Sequence, residues 1–198
     1  MAGSEAHARL RLRVGVTGHR ALSDERVIGD RVDDVLGRLR LIARASAGHV
    51  LLEVVSPLGE GADRIVAERV LADPTAILEV PLPLPAEEYE KDFGSDASRR
   101  HFHDLLARAA RVWVVGGRDR IDAYERVGEY VVDSCDVLIA IWDGKPSRGL
   151  GGTAEIAQLA QSEEMPTYLI SAEPPFAVQE ERIPDRFEVL EDVEEFPV

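Results

Sequence analysis

The chain has 198 residues, 23 Lys plus Arg against 37 Asp plus Glu, and a formal net charge of −14. That balance argues against a long nucleic-acid strand or an anionic membrane as partner, since both require a net basic face to displace counterions. Hydrophobic residues make up 45%, a normal share for a globular protein, and the length suits one folded domain.

The segment before Leu12 reads as a short arm. From there, apolar runs rich in Val, Ile and Leu alternate with longer amphipathic stretches, the pattern of strands alternating with helices. The first strand, residues 12–17, ends in Gly15-Val16-Thr17-Gly18-His19-Arg20, and a helix over 24–45 follows behind Ser23 or Asp24 as cap. In that helix Val32, Val35, Leu36, Leu39 and Ile42 form an apolar stripe, with Arg31, Asp34, Arg38 and Arg40 off it. Gly18 permits a turn whose N–H groups face an anion, and Arg20 adds a charged fork suited to phosphate or carboxylate. The plainer reading is a glycine turn with His19 and Arg20 solvated. The spacing is not GxGxxG, so no standard dinucleotide fingerprint is met.

A second strand, 50–55, runs into Ser56-Pro57-Leu58-Gly59-Glu60-Gly61-Ala62-Asp63 and a helix over 61–71. Small residues such as Gly61 allow close backbone approach. Ser56 and Asp63 suit a sugar hydroxyl or a phosphate, or Asp63 simply favours the helix N-terminus. The third strand is expected over 76–80, stopped by the Pro-rich PLPLP that leads into a short helix near 87–93. A helix over 98–110 precedes strand four, 111–115. The Gly116-Gly117-Arg118-Asp119-Arg120 loop then forms a rim from which Arg118 or Arg120 reaches a ligand only by folding inward. On the next helix, 122–134, Tyr124 suits stacking on a ring or packing on its neighbours.

Strand five, 137–142, carries the sharpest signal. It ends in Asp143-Gly144-Lys145, and Arg148, Gly149, Gly151, Gly152 and Thr153 follow where a helix over 152–162 begins. Glycines, cations and a helix start together make a phosphate-binding loop, although GxxxxGK[ST] is absent. Strand six is expected over 167–170. Residues 173–198 hold nine acids, two bases and four prolines, and read as an acidic tail behind a domain spanning 1–172.

These elements predict an α/β fold: a Rossmann-like, doubly wound, mostly parallel six-stranded sheet with helices on both faces, binding ligands outside the carboxyl ends of its strands. The lone Cys135 cannot close an internal disulfide and suits a buried inert thiol, which together with the absence of an apolar run near 18 residues points to a cytoplasmic protein. His101 and His103, two apart on a helix, do not share a face, so no metal site is expected, and no cofactor. Trp113 and Trp142 read as core residues.

Over residues 12–172 the chain resembles the SLOG superfamily, the Rossmann-like group that includes the LOG phosphoribohydrolases, the DNA-processing protein DprA and nucleotide-sensing domains of bacterial conflict systems. The marks are VGVTGHR, SPLGEGADR, SCDVLIAIWDG and GLGGTAEIAQLA, in that order. The resemblance implies a sensor that holds a nucleotide or ADP-ribose-like ligand around Arg20, Ser56, Asp63, Gly151, Gly152 and Thr153, working with a separate effector protein. LOG relatives also imply a homodimer. The alternative it implies is a phosphoribohydrolase cleaving the N-glycosidic bond of a nucleoside monophosphate, with Glu155 or Asp143 stabilising the oxocarbenium ion and Arg20 or Arg148 anchoring phosphate. LOG enzymes carry PGGxGTxxE; here the acid, Glu155, comes one residue early and Ile156 holds the expected position. On a helix that shift turns a side chain by about 100°.

Overall fold

The computed structural model describes residues 9–47, 49–145 and 152–187. Alternating strands and helices run in the order β1 (Arg9–Gly18), α1 (Glu25–Ser46), β2 (His49–Val55), α2 (Ala62–Val70), β3 (Ile77–Leu82), α3 (Ala86–Tyr89), α4 (Asp96–Leu106), β4 (Arg111–Val114), α5 (Arg120–Ser134), β5 (Val137–Trp142), α6 (Thr153–Ser162), β6 (Thr167–Ser171) and β7 (Val178–Glu181). They build one sheet in the order β4-β3-β2-β1-β5-β6-β7. All neighbours are parallel except β6 and β7.

The period-two pattern of the strands divides the core between two faces. Leu12, Val14 and Val16 of β1 and Val137, Ile139 and Ile141 of β5 join Ile28, Val32, Leu36 and Leu39 of α1, Val66 of α2 and Phe102 of α4. On the opposite face Val55, Leu138 and Ala140 meet Val131 and Val132 of α5 and Ile156 and Ala160 of α6. The chain moves outward from β1 to β4 and then jumps back to β5, so crossovers of one hand put α1, α2 and α4 on one side and α5 and α6 on the other. The result is a mostly parallel α/β sandwich, consistent with a Rossmann-like fold.

The sheet has seven strands rather than six, and the seventh comes from the segment read as an acidic tail. β7 covers the edge that β6 would otherwise leave open, with Leu169 opposite Gln179. Phe187 is buried in the core, and Phe176 and Ile183 pack against it. On β7 the acids remain at the surface: Glu180 pairs with Arg38, and Gln161 donates to Glu181. Composition marked the charge of the segment but not its few buried apolar residues. β3 also runs two residues past its expected end, through Pro81. β2 pairs with β3 only as far as Glu79, whereas Pro81 faces Trp113 of β4. A proline there lacks an N–H at a position with no β2 neighbour to receive it.

Caps and close approaches fix the strand ends. Asp24 is the α1 cap, accepting from the Val27 N–H at 3.0 Å, while Ser23 Oγ donates to the Ala172 carbonyl. Where β1 crosses beneath α5, Gly15 is required: a Cβ there would lie 2.8 Å from Val131 Cγ1 and 3.1 Å from Cys135 Sγ. Among the described residues no helix is long and apolar enough to cross a membrane.

Candidate functional site

β1 and β5 are neighbours, with Thr17 opposite Ala140 and Gly18 opposite Ile141, yet the chain leaves them in opposite directions. A crevice opens at this switch point, as the topology requires. It is a cleft of about 640 Å³ whose floor includes Val16, Val127, Gly128, Val131 and Ile156.

Three loops and a helix start bring the predicted residues to it. Gly18, His19, Arg20, Asp63, Asp143, Lys145, Gly152 and Thr153 all line the cleft. Gly18 lets β1 pass under α2, since a Cβ would overlap Ala62 Cβ and lie 2.8 Å from the Ile141 carbonyl oxygen. The Ala62 N–H donates to the His19 carbonyl at 3.1 Å, tying the start of α2 to the loop that carries Arg20.

The polar groups are unequally committed. His19 Nε2 lies 3.0 Å from Asp143 Oδ1 and 3.3 Å from the Asp143 main-chain nitrogen, and Lys145 Nζ lies 3.0 Å from Asp143 Oδ2. Hydrogen bonds from Lys145 and then His19 hold the Asp143 carboxyl well below the usual carboxylate range. Lys145 is thus already neutralised in part by Asp143. Arg20 enters no ion pair within 4 Å among the described residues; its guanidinium lies 5.5 Å from the centre of the Tyr124 ring, and although burial opposes its charge, the Tyr124 hydroxyl and the nearby Asp63 favour it. At the opposite wall α6 begins with Thr153 and Ala154, whose N–H groups have no carbonyl within the helix to receive them. The Thr153 hydroxyl sits beside them.

Other expected residues serve elsewhere. Ser56 is fully buried and does not line the cleft: its Oγ accepts from the Leu58 N–H at 3.1 Å and donates to the Asp63 carbonyl at 3.2 Å, knotting the loop. Gly61 also stays outside; its φ of +75° and the closeness of the His19 and Arg20 carbonyls admit only glycine. Glu155 Oε2 accepts from the Gly152 N–H at 3.3 Å, capping its own helix, whereas Ile156 faces the cleft. Arg118 pairs with Asp122 at 2.7 Å, and Arg120 with Asp92 at 2.5 Å, away from the cleft. Arg148 and Gly151 lie outside the described residues.

Several lining residues had no sequence signal of their own. Tyr89 comes from α3, a single turn after the Pro-rich segment, and is buried against Phe93, Phe102 and Tyr124. Trp142, expected in the core, lines the cleft and donates from Nε1 to the Lys145 carbonyl at 2.8 Å. Tyr124 donates to Asp92, and burial followed by that acid pushes its hydroxyl up to about 12. His101 and His103 pair with Glu68 and Glu90 respectively, and among the described residues no group of three or more His, Cys, Asp or Glu could hold a metal.

No protein-family model matches the chain, and no curated protein matches it. The functional reading therefore rests on the geometry of the cleft.

Proposed function

We propose that the cleft binds a nucleotide or a nucleotide-derived, ADP-ribose-like ligand, as in a SLOG-type sensor domain. The observation that carries this reading is that one switch-point cleft is lined both by Arg20, which enters no ion pair within 4 Å among the described residues, and by the start of α6 at Gly152 and Thr153. Together they suit a phosphate: the helix start supplies N–H donors and a partial positive charge, the guanidinium a charged fork. Val16, Val127, Gly128 and Ile156 offer apolar surface, and Tyr124 a ring face, for a base.

A phosphoribohydrolase is less well supported. It requires a carboxylate from the first turn of α6 at the reacting centre, and the side chain there is Ile156, with Glu155 turned back onto Gly152. Asp143 lies in the cleft but is tied to Lys145 and His19.

Thermal unfolding in AMP and ADP-ribose tests the proposal. A rise in melting temperature in the wild type, abolished by Arg20→Ala combined with Thr153→Val, is expected. Absence of any shift rejects nucleotide binding, and release of free base from AMP favours the hydrolase.

A further inference from the structure

Among the described residues the cleft is lined by more carboxylates than cations: Glu60, Asp63, Asp143 and Glu173 against Arg20 and Lys145. Asp143 is occupied by Lys145 and His19, and Glu60 accepts from the Gly94 N–H and the Ser98 hydroxyl. Asp63 is different. It is only 9% exposed, its Oδ2 accepts from the Gly59 N–H at 3.0 Å, and no described residue donates to its Oδ1. An ionised carboxylate offers about four acceptor positions, and desolvating it with most of them empty is unfavourable.

The neighbouring cations do not fill the gap. Arg64, on the same helix, donates from Nε to the Leu58 carbonyl at 3.0 Å and from Nη1 to the Ser98 carbonyl and hydroxyl at 2.9 and 2.8 Å. Arg20 lies over Tyr124. The Tyr89 hydroxyl is close on the α3 side, since a Cβ at Gly59 would be 3.0 Å from Asp63 Oδ2 and 3.2 Å from that hydroxyl. Asp63 is therefore a buried acceptor, open toward the cleft.

We infer that Asp63 is a specificity-determining residue that accepts hydrogen bonds from sugar hydroxyls, so that the cleft takes ribonucleotides in preference to their deoxy analogues, with the phosphate at the α6 end. The inference rests on the nucleotide reading. A site built around an acceptor discriminates strongly against an analogue lacking the matching O–H, because the buried group is then left unpaired.

The protonation of Asp63 fits this role. Burial pushes its carboxyl up to about 7, opposed by the Gly59 N–H and by Arg20 and Arg64. The other titratable groups around it are Glu60 on its loop, Tyr89 on α3 and Tyr124 on α5. Hydroxyl donors arriving at Oδ1 favour the charged form, so binding releases protons near neutral pH. A phosphate placed here would do the opposite and draw a proton in.

Calorimetric titration of AMP, 2′-deoxy-AMP and 3′-deoxy-AMP into the full chain at pH 7, in two buffers of different ionisation enthalpy, tests the inference. The wild type is expected to lose about tenfold or more in affinity on removal of at least one hydroxyl and to release protons on binding AMP. Asp63→Asn is expected to reduce the ratio to below about threefold. Equal affinity for all three nucleotides, or proton uptake on binding AMP, overturns the inference while leaving the nucleotide reading intact. Failure of all three to bind overturns both. If Asp63→Asn does not fold, the wild-type ratio and the sign of proton exchange decide alone.

Discussion

The buried carboxyl of Asp63 makes the unliganded protein less stable as pH rises, and the size of the effect follows from its surroundings. Its folded value of about 7 lies above the ordinary 3.8. Between those values the folded state binds more protons than the unfolded state, so stability falls with pH across that window and levels off above pH 7. A difference of about 3 units at about 1.36 kcal/mol each gives a full effect of about 4 kcal/mol. Of this, about 2–3 kcal/mol falls between pH 5 and pH 8. Asp63→Asn removes the titration but keeps an oxygen to accept from Gly59. Urea unfolding of both proteins at pH 5, 6, 7 and 8 isolates the difference, because any fixed packing cost of the amide cancels in the slope. The wild type should lose about 2–3 kcal/mol more than the variant over this range. Parallel curves, or a steeper fall in the variant, would refute the account of Asp63 as a desolvated acid.

Gly61→Ala places a Cβ against the His19 and Arg20 carbonyls at a φ of +75°; urea melts should show a loss of about 1–3 kcal/mol or more, and nucleotide affinity should fall because the loop bearing Arg20 must shift. Glu155→Ala removes the acceptor for the Gly152 N–H and should cost about 0.5–2 kcal/mol in the same assay. Burial pushes the Cys135 thiol up to about 12, so an aromatic disulfide reagent at pH 7.5 should react slowly with native protein and rapidly once urea unfolds it.

Strand and helix periodicity carried the α/β assignment and, through it, the position of the cleft, because a sheet that reverses direction binds ligands where the reversal occurs. Gly18, Arg20, Asp63, Gly152 and Thr153 were legible since glycines and charges immediately after apolar strands have few other uses. Ser56 looked equivalent to them in sequence, but whether such a side chain faces a ligand or satisfies a nearby N–H depends on backbone direction, which a single sequence does not encode; for Glu155 the one-residue shift already indicated a side chain turned away from the direction that Ile156 takes. Tyr89 was hidden for another reason: its cleft position arises from the packing of α3 on Phe102 of α4 and Tyr124 of α5, a contact between distant segments. β7 was masked by composition, since Glu180 and Glu181 sit on an edge strand that tolerates charge. Asp143 ties up Lys145 and leaves Arg20 as the cation in the cleft that the described residues do not pair.

Equilibrium dialysis of radiolabelled AMP and ADP-ribose against the wild type and Arg20→Ala at low ionic strength tests the role of the cleft most directly. Saturable binding of one ligand per chain, weakened about tenfold or more by Arg20→Ala as expected for loss of a charge-assisted hydrogen bond, is the result the geometry predicts. Absence of binding, or equal affinity in the two proteins, would contradict it.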